Sequence, residues 1–124
     1  IKESKLPIDQ AHNGLLILSD GTIVTKDLRL EGQGCSTITR LDQNLDVLHE
    51  PLKLPEGSMG RIASDKSEDG EFIFIPGIEK IWKIKVLHND LVPTSHFYQL
   101  INTDNIRLIE VGCCLSFPAE PLNK

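Results

Sequence analysis

The sequence lacks several features that would assign it to a functional class at once. No apolar run approaches the ~20 residues that a membrane-spanning helix needs, and the longest, Leu15–Leu18, has the length of a buried strand. There is no block of basic residues: 13 Lys and Arg stand against 18 Asp and Glu, which gives a net charge of −5. In the densest basic stretch, Lys80, Lys83 and Lys85 are interspersed with apolar residues, a pattern typical of the solvent-exposed face of a strand. We therefore expect neither a membrane span nor a nucleic-acid partner.

Cysteine and aromatic residues are also scarce. Cys35, Cys113 and Cys114 cannot form a closed set of disulfides because one must stay unpaired, and no Asn-x-Ser/Thr acceptor occurs. Both facts favour a reducing compartment such as the cytoplasm. No basic neighbour activates Cys113 or Cys114, which we expect to be core residues. Aromatic residues make up 5% of the chain, too few for an open carbohydrate-stacking surface.

What the 124-residue chain does contain is a series of short β-forming segments separated by turns. The clearest signal is Asp20-Gly21 between Leu15–Leu18 and Thr22–Thr25, because glycine accepts the positive φ of a tight hairpin turn. No window shows the apolar spacing of an amphipathic helix. The sequence predicts one all-β domain over residues 1–124, built from antiparallel meander sheets. Further strands are predicted at 35–41, 45–48, 61–64, 72–75, 80–86, 91–92 (ended by Pro93), 96–101 and 106–111.

Two parts of the chain follow the same order of turn, strand, turn and strand. Each includes an apolar-basic-apolar strand, Ile38–Leu41 in the first and Ile81–Ile84 in the second. A meander of about four strands in ~40–45 residues has the size of one propeller blade. We therefore divide the chain into a first blade unit at 12–55, a second at 56–101, and a partial further unit or closing strand at 102–124.

On the residues Gly14–Thr25, Ser36–Asp42 and Gly70–Ile84, the chain resembles β-propeller repeat proteins of the superfamily that includes the quinoprotein-like and lactonase-like propellers. The resemblance implies a partial β-propeller of about two to three blades. A closed propeller needs at least about four blades, and a single blade cannot bury its own faces. We therefore expect the remainder of a longer chain, or a homo-oligomer, to complete the stack; the start at Ile1 favours a longer chain. A small β-sandwich or barrel is the alternative architecture.

Residues that could carry chemistry are few and scattered. No His-x-x-x-His or Cys-x-x-Cys spacing of a zinc site occurs. In a propeller, separate loops could bring His12, Asp20 and Glu68 to one rim, as a site for a divalent metal or for acid–base chemistry. Gly57–Arg61 could bind an anion through backbone N–H groups, with Arg61 supplying charge. The simpler expectation for each is a solvated or connecting loop, so we predict no cofactor.

The function predicted on this basis is a non-catalytic scaffold for interaction or ligand binding. Loops would supply its contacts, and the stacked sheets its rigidity. The alternative is a part of a propeller enzyme of the lactonase-like or quinoprotein-like type. For that enzyme, the resemblance implies a channel-bound metal or quinone cofactor held by rim carboxylates and histidines. Hydrolase and glycosidase motifs find no convincing match in the sequence, which favours the non-catalytic hypothesis.

Overall fold

The computed structural model describes residues 12–30, 32–78, 80–102 and 107–112, and it confirms the all-β class. All the regular secondary structure within these ranges is β-strand, and the described residues contain no helix that could cross a membrane. The first sheet consists of β1 (His12–Ile17), β2 (Ile23–Asp27), β3 (Thr37–Leu41) and β4 (Leu52–Lys53), paired in chain order. The second consists of β5 (Ala63–Ser67), β6 (Gly70–Pro76), β7 (Lys80–Leu87), β8 (Asp90–Asn102) and β9 (Arg107–Gly112).

Both sheets are antiparallel meanders, in which each strand pairs with its neighbours in sequence. The first lies within the predicted unit 12–55, and β9, which pairs with β8, falls in the stretch predicted to be a further unit or closing strand. The expectations for Cys113 and Cys114 lie outside the described residues.

The β1–β2 hairpin confirms the strongest sequence signal. Gly21 has a φ of 88°, and its N–H donates to the Leu18 carbonyl at 2.9 Å. Asp20 fixes the turn, because its Oδ1 accepts hydrogen bonds from the Thr22 amide at 2.9 Å and the Thr22 hydroxyl at 2.6 Å. These contacts span only a few residues, which is why the local sequence is sufficient to predict them.

The strand predicted at Leu45–Leu48 is wrong. Of that segment, only Val47 forms a bridge, to Leu41, and the partner of β3 is the two-residue β4. Instead of a strand, this part of the chain forms a turn in which the Leu45 amide donates to the Asp42 carbonyl and Leu45 has a φ of 67°. A left-handed residue interrupts the pleat, so pairing resumes only beyond it.

The predicted end of a strand at Pro93 is also wrong. β8 continues through Pro93, which lies opposite Ile84, and a register shift between Trp82 and Ile84 accompanies it. Proline removes one ladder donor, and an irregularity in the ladder is where a strand tolerates that loss. The predictions at 91–92 and 96–101 are therefore parts of one strand. The segment predicted at 61–64 likewise becomes β5, shifted toward the C-terminus.

The hydrophobic core lies between the two sheets. In β6 and β7 the residues that face it alternate with residues that do not, as the two-residue period of a strand requires. The first sheet and its flanking loops contribute Leu18, Val24, Ile38 and Leu54, and the second contributes Ile62, Ile73, Ile75, Trp82, Ile84 and Leu91. The intervening residues Leu15 and Ile17 face away and are 69% and 71% exposed. β3 is buried along its whole length, so both of its faces are covered, whereas β1 leaves Leu15 and Ile17 exposed on the face turned away from the core.

A buried arginine bonds the two sheets together. Arg40 of β3 is fully buried, and its Nη1 donates to the carbonyls of Leu87 at 2.7 Å and Asp90 at 3.1 Å in the second sheet. Its Nε donates to the Thr22 hydroxyl at 3.0 Å, and its Nη2 pairs with Asp20 at 2.9 Å. A buried guanidinium needs such partners because its desolvation is costly.

Candidate functional site

A cavity of about 430 Å³ opens where the β2–β3 loop, the β4–β5 connection and the β6–β7 turn meet. We call it the loop cavity. Leu30, Met59 and Ile78 line it, one from each of these three segments, and these side chains are 48%, 59% and 58% exposed. A single exposed apolar residue is ordinary, whereas several around one concavity are typical of a binding site.

Glycines form much of the cavity wall, and at Gly57, Gly60 and Gly77 close packing leaves no room for a side chain. A Cβ at Gly57 would lie 2.8 Å from the Gly34 carbonyl oxygen, and one at Gly60 would lie 2.8 Å from Cγ of Pro76. Glycine therefore allows the Gly34 backbone to approach at the first position and the Pro76 ring at the second. The stretch Gly57–Arg61, predicted as a connecting loop with a possible anion site, thus contributes the wall of a largely apolar cavity.

A buried lysine anchors the β4–β5 connection beneath the cavity. Lys26 is fully buried, and its Nζ donates to the carbonyls of Ser58 at 2.8 Å and Asp27 at 3.1 Å. Burial lowers the pKa of this ammonium group, and the neighbouring Asp27 charge raises it in part. The Ser58 amide donates to Ser36 Oγ at 2.7 Å, and the Ser58 hydroxyl donates to the Pro76 carbonyl at 2.6 Å. Ser58 therefore ties three segments together.

The β2–β3 loop is held by the buried carboxylate of Asp27. One oxygen accepts from the Thr37 amide at 2.6 Å, and the other pairs with Nε of Arg29 at 2.8 Å. Nη1 of Arg29 also donates to the Gln33 carbonyl at 3.0 Å. These bonds fix the loop that carries Leu30, so this wall of the cavity is preorganised.

The β6–β7 turn is held by Glu56. Its Oε2 accepts hydrogen bonds from the Trp82 indole N–H at 2.7 Å and from the Ile78 amide at 3.1 Å. All three segments that line the loop cavity are therefore attached by side chains to the sheets. The cavity is a built feature of the fold and does not depend on one loop conformation.

A second cavity, of about 550 Å³, lies at the start of β1, and we call it the strand-end cavity. His12, Asn13, Leu15 and Arg61 are among the residues that line it. Nδ1 of His12 lies 2.9 Å from Oγ1 of Thr25. Nε2 of His12 and Oδ1 of Asn13 are buried and have no hydrogen-bond partner among the residues that the structure describes. This cavity is more polar than the loop cavity.

The structure brings together two of the four site residues named from the sequence, His12 and Arg61, in the strand-end cavity. Asp20 lies beyond the other end of β1, in the hairpin turn bound to Arg40, and Glu68 lies in the exposed β5–β6 turn. Burial raises the pKa of Asp20, but the hydrogen bonds from Thr22 and the charge of Arg40 outweigh it and lower the pKa. The His12–Asp20–Glu68 cluster is not assembled.

A channel-bound metal or quinone held by these side chains does not fit this arrangement. Asp20 is engaged by Arg40 and Thr22, and His12 is separated from it by the length of β1. Within the described ranges, no three His, Cys, Asp or Glu side chains lie close enough to hold a metal ion.

No single sequence motif predicts the loop cavity. Leu30, Met59 and Ile78 are about 20 to 30 positions apart in the chain. Each is an isolated apolar residue in a segment rich in glycine or proline, and this context is the one sequence feature that indicates the cavity. No protein-family model, curated protein or solved structure matches this chain, so its candidate sites rest on its own geometry.

Proposed function

We propose that this chain is a non-catalytic scaffold of the β-propeller type that binds an apolar ligand group in the loop cavity. The observation that carries this proposal is the convergence of Leu30, Met59 and Ile78 on one concavity whose walls are fixed by buried polar contacts. A rigid apolar cavity lowers the cost of binding, because little conformational freedom remains to be lost. A cavity of about 430 Å³ can hold one fused-ring or branched aliphatic group.

The packing of the two meanders supports the propeller part of the proposal. β3 meets the β7–β8 turn through Arg40, and Ser19, just after β1, donates to the Glu71 carboxylate of β6 at 2.7 Å. Equivalent regions of the two sheets thus face each other, and the chain returns from β4 to begin β5 near the start of β1. Successive blades of a propeller stack in this way.

A second copy of the chain would complete the stack. Leu15 and Ile17 are exposed on edge strand β1 of the first sheet, on the side turned away from the core. On the second sheet, Phe72 and Phe74 alternate with core residues and so lie on the face turned away from the core, where Lys83 lies over the Phe72 ring. In this arrangement the first sheet of one copy packs on the second sheet of another. The contact between first and second sheets within the chain is then repeated between chains, as in a head-to-tail interface.

The ligand-binding part is tested with the neutral dye N-phenyl-1-naphthylamine, which fluoresces strongly in apolar sites. We expect saturable binding to the native protein. Ile78→Ser and Met59→Ser should each weaken it about fivefold, because each removes an apolar contact worth roughly 1 kcal/mol. Both side chains are more than half exposed, so the fold should not suffer. Val47→Ser is the matched control, because Val47 is 41% exposed and lies outside the cavity. Equal affinity in all four proteins would refute the loop cavity as the binding site.

The self-association part is tested by sedimentation velocity. We expect the native chain to associate in a concentration-dependent way, and Ile17→Lys to abolish that association by placing a charge in the apolar contact. Ile78→Lys is the control, because Ile78 is an exposed apolar residue in the β6–β7 turn, outside the proposed contact between sheet faces. A native chain that stays monomeric at all soluble concentrations would contradict this part and favour a closed sandwich.

A further inference from the structure

The strand-end cavity contains two buried polar atoms that lack partners. They are Nε2 of His12 and Oδ1 of Asn13, and neither has a hydrogen bond within the part of the chain that the structure describes. Buried polar atoms in native proteins are almost always bonded, because an unpaired atom loses its hydrogen bonds to water and gains none in return. Two such atoms on consecutive residues beside a cavity indicate a missing partner.

A β-bulge directs both side chains to this cavity. The pairing of β1 with β2 passes from His12↔Asp27 to Gly14↔Lys26, so Asn13 is the extra residue. Consecutive side chains of a regular strand point to opposite faces, whereas His12 and Asn13 both line the cavity. Bulges often redirect side chains in this manner at functional sites.

The hydrogen bonds that His12 and Asn13 already make determine which kind of partner Nε2 and Oδ1 require. Nδ2 of Asn13 donates to the Met59 carbonyl at 2.7 Å, so Oδ1 is an acceptor that requires a donor. Nδ1 of His12 is bound to the Thr25 hydroxyl, and Nε2 donates or accepts according to the tautomer. A single hydroxyl group can satisfy both atoms, because it donates one hydrogen bond and accepts two.

Arg61 gives the cavity a positive charge. Its side chain is exposed and lines the same cavity, and it makes no hydrogen bond or ion pair with the described residues. A guanidinium group binds a carboxylate through two parallel hydrogen bonds. Leu15, which is 69% exposed, adds an apolar wall.

We propose that the strand-end cavity binds a small hydroxycarboxylate. Its carboxylate pairs with Arg61, and its neighbouring hydroxyl donates to Oδ1 of Asn13 and bonds to Nε2 of His12. An apolar substituent on the same carbon lies against Leu15. The cavity volume of about 550 Å³ accommodates a ligand of this size.

The test is isothermal titration of the native chain with three matched probes. Mandelate carries the carboxylate, the hydroxyl and an apolar ring; phenylacetate lacks the hydroxyl; and mandelamide lacks the charge. We expect mandelate to bind about tenfold more tightly than either of the others, because each loses a charge-assisted or buried hydrogen bond.

Variants separate the two recognition elements. Arg61→Gln should weaken mandelate about tenfold and leave mandelamide unchanged, whereas His12→Phe should weaken mandelate and leave phenylacetate unchanged. Lys66→Gln, which removes an exposed charge on β5 outside the cavity, should bind like the native chain. Equal binding of mandelate and phenylacetate, a native-like response from Arg61→Gln, or the absence of saturable mandelate binding would overturn the proposal.

Discussion

The substitution Arg40→Met tests whether one buried guanidinium joins the two sheets. Methionine keeps most of the aliphatic stem, so the change removes charge and hydrogen bonds with little loss of packing. The carbonyls of Leu87 and Asp90 would lose a charged donor, and a hydrogen bond to a charged group contributes about 1.5–3 kcal/mol. The side chain of Asp20 is 43% exposed, so the loss of that ion pair adds less than about 1 kcal/mol.

We therefore expect Arg40→Met to lower the free energy of unfolding by about 2–4 kcal/mol. That is a large share of the roughly 5–15 kcal/mol typical of a domain. Trp82, the one tryptophan of the chain, is 6% exposed and reports unfolding in urea by fluorescence.

Arg61→Met is the matched control, because Arg61 is exposed and its loss should change the free energy of unfolding by no more than about 0.5 kcal/mol. A loss below about 1 kcal/mol for Arg40→Met, or one equal to the control, would refute the idea that Arg40 holds the sheets together.

Three further perturbations follow from the contacts described above. The pKa of Asp20 is lowered in the folded state, so its contribution to stability is present above the unfolded value near 3.8 and is lost as the pH falls through the folded pKa. Urea titrations should show a smaller fall in stability below about pH 4 for Asp20→Asn than for the native chain. Gly57→Ala places a methyl group 2.8 Å from the Gly34 carbonyl, so it should cost about 1–3 kcal/mol in a thermal melt, and an unchanged melting temperature would contradict that contact. Glu56→Ala leaves the buried Trp82 indole N–H without its acceptor; we expect a loss of about 1–3 kcal/mol and a shifted emission maximum, and neither change would be seen if that hydrogen bond were absent.

The sequence by itself determined the class of fold and its most local features. Alternating apolar residues and frequent turn residues specify strands and exclude helices, because the two-residue period is a property of the strand itself. The Asp20-Gly21 hairpin was equally predictable, since the bonds that close it lie within five residues. The predictions at Leu45–Leu48 and Pro93 failed because of backbone irregularities, a left-handed residue in the first case and a register shift in the second.

Only the tertiary structure decided which face of each strand became the core. The two apolar-basic-apolar segments look equivalent in sequence. The basic residue of the first, Arg40, is buried between the sheets. The basic residue of the second, Lys83, lies on the face of its sheet turned away from the core, with its Nζ 4.6 Å from the centre of the Phe72 ring. Whether a given face of a strand meets the neighbouring sheet or turns away from it depends on how the sheets stack, and the sequence pattern alone does not record that arrangement.

The candidate sites depend on tertiary structure for the same reason. Leu30, Met59 and Ile78 come from three separate loops, and His12 and Arg61 line one cavity because the β4–β5 connection passes the start of β1. Side chains that are distant in the chain become neighbours through the packing of strands, and no local pattern encodes that packing.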